Sequence, residues 1–204
     1  MNILMGSPEV VISPSQFLKN QLHEWNEQVK RIEIVPNFVD LDRMDDPGGN
    51  APRRVPTIGQ DVFYAGSLTA IKGVDLLVDN YRHNHYSGRL LLAGSGPLQA
   101  NSDDHIVFLG QLNKEQLANR IKECRVVVVP SRYHEYFPYS VLEAFAAGKP
   151  VIGSRRGGIP ELVQDGKTGW LFEPTKPDSL TAALTQALKN DDKIEIYGRA
   201  AYHL

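Results

Sequence analysis

Among its 204 residues the chain has a single cysteine, Cys124. An intrachain disulfide is therefore excluded, and nothing in the thiol content points to an oxidising compartment. Neither sign of charge is in excess: 22 Lys and Arg against 24 Asp and Glu leave a formal net charge of −2. That balance gives no broad basic field, so nucleic acid is not expected as a partner. An anionic ligand must be drawn by local groups instead. Long apolar runs are also missing. The longest β-branched run, Val126 to Val129, falls far short of the roughly 20 apolar residues that span a bilayer. The stretch Met1 to Val11 lacks a basic start and carries Pro8 and Glu9, which does not fit a secretory signal. On these grounds the chain reads as cytoplasmic. Six histidines are scattered, and His83 and His85, though close, have no carboxylate or cysteine cluster to complete a zinc site.

What is present is alternation. Short apolar runs occur at Val10 to Ile12, Ile32 to Val35, Val62 to Ala65, Leu90 to Ala93, Ile106 to Leu109, Val126 to Val129 and Val151-Ile152. Most are continuous rather than alternating, as expected for parallel strands covered on both faces. Between them lie amphipathic segments with recognisable starts. Ser13-Pro14-Ser15-Gln16 reads as a capping box with Pro at the first helical position. Asn113-Lys114-Glu115-Gln116 reads the same way, with Leu112 and Leu117 spaced for a hydrophobic staple. A third helix is expected from about Pro138 to Ala147, stopping at Gly148 with Pro150 beyond. Leu180, Ala183, Leu184, Ala187 and Leu188 mark a fourth. Strand–helix alternation of this kind predicts an α/β, Rossmann-like, doubly wound parallel sheet. The Pro-, Gly- and Arg-rich segment Asp45 to Gly59 reads as a surface loop.

In such a sheet ligands gather at the carboxyl ends of the strands. After Val62 to Ala65 comes Gly66-Ser67-Leu68-Thr69-Ala70-Ile71-Lys72-Gly73. There a glycine turn and a lysine near the next helix suit a phosphate. After Leu90 to Ala93 comes Gly94-Ser95-Gly96-Pro97. Either turn alone also fits an ordinary steric role, because glycine ends many strands. The most informative segment runs from Ser131 to Gly148. From Val141 to Ala147 every residue is apolar except Glu143, and Glu135 stands just before the helix start. On a helical wheel Glu143 lies about 130° from the centre of the apolar face. Two carboxylates around one helix start suit a polyhydroxylated ligand, since they accept hydrogen bonds from sugar hydroxyls. The bland alternative makes Glu135 a solvated loop acid and Glu143 the partner of a neighbouring Arg or Lys.

Glu135-x7-Glu143, followed by Ala144 to Ile152, then Gly157-Gly158-Ile159-Pro160-Glu161 and Asp165-Gly166-Lys167-Thr168-Gly169-Trp170-Leu171, resembles the C-terminal domain of family 4 retaining glycosyltransferases of the GT-B fold, the glycosyl transferases group 1. The likeness extends back through both glycine turns and Val35 to Asp40 to Ile12-Ser13-Pro14-Ser15. It implies one half of a two-domain GT-B architecture that binds a UDP- or GDP-linked sugar, with no cofactor and no metal expected at the donor site. It implies Glu135 and Lys72 as catalytic residues, Glu135 beside the donor sugar and Lys72 on the phosphates. Glu143 would bind the ribose, and Phe137, Tyr139 and Ser140 would offer backbone amides. Gly66, Ser67, Gly94 and Gly96 would line the donor site, with Gln111 and Leu112 bordering the base. The family often carries an arginine where this chain has Ser67, and Arg155 or Arg156 is a candidate to supply that cation. The resemblance divides the chain into an N-terminal remnant or leader, 1–8, and a nucleotide-sugar-binding domain, 9–204, with a C-terminal crossover helix missing. The acceptor (a sugar, a lipid-linked sugar or a small molecule) would be held by a missing N-terminal domain, and membrane association of the full chain stays open. Glycosyl transfer with retention is the implied activity, and the isolated segment is expected to be inactive. An epimerase or phosphorylase of the same fold, and a non-catalytic nucleotide-binding module, are the alternatives.

Overall fold

The structure, a computed structural model, describes residues 10–25, 31–39 and 59–204. The expected loop from Asp45 to Gly59, apart from Gly59 itself, and the leader 1–8 lie outside the described residues. Six strands form the main sheet: β3 (Val62–Ala65), β4 (Leu90–Ala93), β5 (Ile106–Gly110), β6 (Val126–Val129), β7 (Val151–Ser154) and β8 (Gly169–Phe172). Their order is β5-β4-β3-β6-β7-β8, and all neighbours pair in parallel. The chain builds outward from β3 to β5 and then returns to the other side of β3 with β6. The switch point of the doubly wound sheet therefore lies between β3 and β6.

Alternation along each strand divides the interior in two. Val62, Tyr64, Leu90, Leu92, Val126, Val128, Ile152, Trp170 and Phe172 face one cluster, covered by α2 (Val74–His83) and α6 (Pro177–Lys189). Phe63, Leu91, Val127, Val129 and Val151 face the other, covered by α3 (Lys114–Glu123), α4 (Tyr139–Ala146) and the short α5 (Ile159–Leu162). Both faces are thus dry, which is why the strands read as unbroken apolar runs. Trp170 and Phe172 are buried core residues of β8. Neither β8 nor α7 (Asp191–Tyr202) was expected from the sequence pattern. The fully buried Arg125 fastens the last helices: it donates to the Ala187 carbonyl at the end of α6, at 2.7 Å, and to the Asp191 carboxylate at the start of α7. Cys124 sits in the second cluster, 1% exposed, and burial pushes its thiol up to about 12.

Two expectations are corrected. The first is local. Helix α1 (Gln16–Trp25) begins two residues later than a Ser13 cap would require. Ser15 Oγ, not Ser13, accepts from Leu18 N at 3.2 Å, while the Ser13 hydroxyl folds onto Ser15. The second is topological. β1 (Val11–Ser13) and β2 (Ile32–Ile34) pair with each other in a two-stranded parallel sheet and do not extend the six-stranded one. Asn113 does form the expected capping box with Gln116. Among the described residues no helix is long and apolar enough to cross a membrane.

Candidate functional site

The turns that leave the carboxyl ends of β3, β4 and β5 are laced together. Gly66 N donates to Ala93 O at 3.0 Å, Leu68 N to Ser95 O at 2.9 Å and Gly94 N to Gly110 O at 2.8 Å. Gln111 Nε2 reaches Ser95 Oγ at 3.0 Å. A Cβ on Gly94 would fall 1.8 Å from Gly66 O. The glycine there is thus required by an adjacent backbone whatever ligand binds. Gly66, Ser67, Gly94, Gly96, Gln111 and Leu112, from three separate loops, are brought together at one edge of the sheet.

Lys72 ends a single 3-10 turn, Ala70–Lys72. The loop after β6 grips that turn: Ile71 O accepts from Arg132 N and Tyr133 N at 3.0 and 3.2 Å. Arg132 Nη1 adds bonds to Ala70 O at 3.2 Å and to Asp75 at 2.6 Å. The same loop carries Glu135, and across the switch point Lys72 Nζ donates to Glu135 Oε1 at 2.6 Å. The two side chains are 34% and 17% exposed, so the pair is partly screened from water but open enough to be approached. Glu135 is therefore not a solvated loop acid. Its backbone is held as well: Gly158 N donates to Glu135 O at 2.6 Å. Gly157, at φ 57°, leaves no room for a Cβ, which would stand 2.2 Å from the same oxygen.

Helix α4 opens just beyond Glu135. Its N-cap is Pro138, which offers no side-chain cap. Among the described residues the amides of Tyr139 and Ser140 have no acceptor, the first bonded amide being Val141 N to Pro138 O. Free amides and the positive end of the helix dipole thus point outward together. The Phe137 ring is partly buried against the second cluster, and its amide also has no acceptor among the described residues. Glu143 follows Tyr139 by one turn and so projects from the same side of α4. It is partly buried, and no hydrogen bond or ion pair from the described residues reaches its carboxylate. Burial without a partner raises its pKa above the ordinary carboxylate value. The expected alternative, a pairing of Glu143 with a neighbouring cation, does not occur.

A match to the family model for glycosyl transferases group 1 runs over residues 53–204. The chain belongs to the glycosyl transferases group 1 family. An uncharacterised glycosyltransferase of Methanocaldococcus jannaschii is 30% identical over 190 residues, which cover 89% of this chain and 50% of that protein. The lipopolysaccharide 1,2-N-acetylglucosaminetransferase of Salmonella typhimurium is 29% identical, over 93% of this chain and 56% of that one. The chain spans about half the length of the curated relatives it matches. The crystal structure of Anabaena HepE in complex with UDP and glucose superposes with a TM-score of 0.80 at 19% identity, covering 96% of this chain and 57% of that one. This likeness concerns the fold, a Rossmann-like half of the GT-B architecture. Within this glycosyl transferases group 1 chain, Arg155 is already engaged: its guanidinium pairs with Asp165 at 2.7 Å and Glu173 at 3.6 Å. Arg156 Nη1 turns to Arg155 O at 3.1 Å. With two carboxylates on it, Arg155 does not fit the expected role of a spare phosphate cation, whereas Arg156 has no carboxylate partner among the described residues. Sequence reasoning missed Arg132, whose placement of the Lys72 turn depends on a contact 57 positions away. It also gave no role to Phe17, which packs on His134 and Tyr136 with ring centroids 5.1 and 6.4 Å apart.

Proposed function

We propose that this chain is the donor-binding half of a retaining glycosyltransferase and holds a nucleotide-diphosphate sugar at the β3/β6 switch point. The observation that carries this reading is the Lys72–Glu135 ion pair beside the uncapped start of α4. An arriving diphosphate competes for the Lys72 ammonium and takes the free amides of Tyr139 and Ser140. The Glu135 carboxylate is then released to the hydroxyls of the sugar, and Glu143 accepts from the ribose hydroxyls. Binding would thus exchange one internal ion pair for a set of charge-assisted bonds to the donor. In transfer, the bond from the anomeric carbon to the phosphate oxygen breaks. The leaving diphosphate gains negative charge as the sugar becomes oxocarbenium-like. Lys72 and the α4 amides meet that charge with dipoles fixed by folding, which need little reorganisation at the moment of reaction. The exposed Ser67 hydroxyl adds a donor without charge. The UDP in the Anabaena structure favours a UDP-linked donor. The acceptor would be held by a domain outside the chain, so the chain alone would bind donor and transfer little. In this reading transfer requires no metal, and a chelator leaves it unchanged.

Titration calorimetry with UDP, GDP and ADP tests the reading. One nucleotide should bind the wild type, and Lys72→Ala should weaken it by about tenfold or more, the worth of a charge-assisted phosphate contact. Absence of binding by all three, or indifference to Lys72→Ala, would refute it.

A further inference from the structure

Helix α1 is attached to the rest of the molecule in an unusual way. Its first amides are capped not by its own neighbours alone but by a carboxylate 145 positions away. Glu161 Oε2 accepts from Gln16 N at 2.8 Å, and Oε1 accepts from Phe17 N at 2.6 Å. Ser15 Oγ takes the next amide, Leu18 N. A carboxylate spanning two free amides at the positive end of a helix dipole makes two charge-assisted bonds. Among the described residues, every hydrogen bond that crosses from the β1–α1–β2 unit to the six-stranded half ends on Glu161. The ring contacts that cross among the described residues are both made by Phe17, on His134 and on Tyr136.

These two anchors converge on one place. His134 and Tyr136 are the residues on either side of Glu135. Glu161 lies on α5, and the turn that opens α5 carries Gly158, whose N–H bonds Glu135 O at 2.6 Å. The unit thus bears on the Glu135 loop along two routes, through the Phe17 ring and through Glu161, α5 and Gly158. We infer that Glu161 and Phe17 form a positioning latch by which the β1–α1–β2 unit fixes the Glu135 carboxylate for the sugar side of the donor. This rests on the donor-site reading above. Lys72 is carried by the turn Ala70–Lys72, which Arg132 and Tyr133 hold upstream of Glu135. The amides that meet the diphosphate belong to α4 itself, so a loosened Glu135 costs Lys72 only its ion-pair partner. Releasing the latch should therefore loosen recognition of the sugar while sparing the diphosphate.

The test uses the 204-residue chain as wild type, Glu161→Ala and Phe17→Leu. Hydrogen–deuterium exchange reads the Glu135 and Gly158 amides, with the β6 amides as an internal reference. Calorimetry compares UDP with UDP-glucose, GDP with GDP-mannose and ADP with ADP-glucose. Exchange at Glu135 and Gly158 should rise by about fivefold or more in both variants with β6 unchanged, as local opening without global unfolding requires. The nucleoside diphosphate that binds should keep its affinity or gain up to about fivefold, as Glu135 loosens its hold on Lys72, while its sugar conjugate weakens by about fivefold. Unchanged exchange in both variants overturns the latch, as does an equal fall for diphosphate and conjugate, which marks a fold contact only. A wild-type chain that binds none of the six ligands refutes the donor reading instead, and the exchange result alone then judges the latch.

Discussion

If the Lys72–Glu135 pair must open for a donor to enter, then removing the glutamate's charge should tighten binding of a bare nucleoside diphosphate. The separation of 2.6 Å corresponds to a gross attraction of about 6 kcal/mol at an effective dielectric of about 20. Most of that is cancelled by desolvation and by lost side-chain freedom. With the two side chains 34% and 17% exposed, the net worth is about 1 kcal/mol, at the upper end for partly exposed pairs. A ligand that no longer has to break the pair recovers that energy, which is about a fivefold gain in affinity. Titration calorimetry of UDP into wild type, Glu135→Gln, Lys72→Ala and the double variant provides the cycle. Glu135→Gln should bind UDP about fivefold more tightly at low salt. The gain should shrink as salt rises, because a partly exposed pair is screened, and most of it should vanish in the Lys72→Ala background. Weaker UDP binding by Glu135→Gln, or an equal gain with and without Lys72, would refute the exchange of partners.

Three further outcomes follow from the same geometry. Glu143 is raised by burial, so the folded chain keeps its proton at a pH where the unfolded chain has lost it. That contribution to stability is present below the ordinary carboxylate range and is lost as pH rises through the raised value. Glu143→Gln should therefore melt higher than wild type at pH 7 but not below about pH 4, and should bind the nucleotide about tenfold more weakly. Gly157→Ala forces a Cβ to 2.2 Å from Glu135 O at φ 57°. Thermal denaturation should show a loss of about 2 kcal/mol or more. Arg155→Ala should leave nucleotide affinity within about twofold, because Arg155 is held by Asp165 and Glu173; a larger loss in calorimetry would restore it to the phosphate site.

Much of this architecture is legible in the sequence itself. The strands Val62–Ala65, Leu90–Ala93 and Val126–Val129 announce themselves because both their faces are dry, and Asn113 because its cap is local. β8 was concealed by its opening Gly169 and by a Gly-Trp-Leu-Phe sequence that is not an aliphatic run. The pairing of β1 with β2 was out of reach, since periodicity identifies a strand but not the sheet it joins. The site divides in the same way. Glu135, Glu143 and Lys72 stand out by residue type and position, whereas the Lys72–Glu135 bond, 63 positions apart, is a product of topology. Glu161 belonged to a recognisable motif, yet its partner is a helix start 145 positions earlier, and no local pattern encodes that.

The lone cysteine acquires a use from its surroundings. Cys124 is 1% exposed, packed in the cluster beneath α3 and α4, and its thiol is pushed up to about 12. Both the barrier to reagent and the scarcity of thiolate suppress its chemistry while that cluster stays shut. Alkylation of the native chain is then a clock for opening of the sheet's second face. Because Glu161 and Phe17 lie outside that cluster, a variant that frees α1 should leave the clock running at its wild-type rate, while one that unfolds the sheet sets it off.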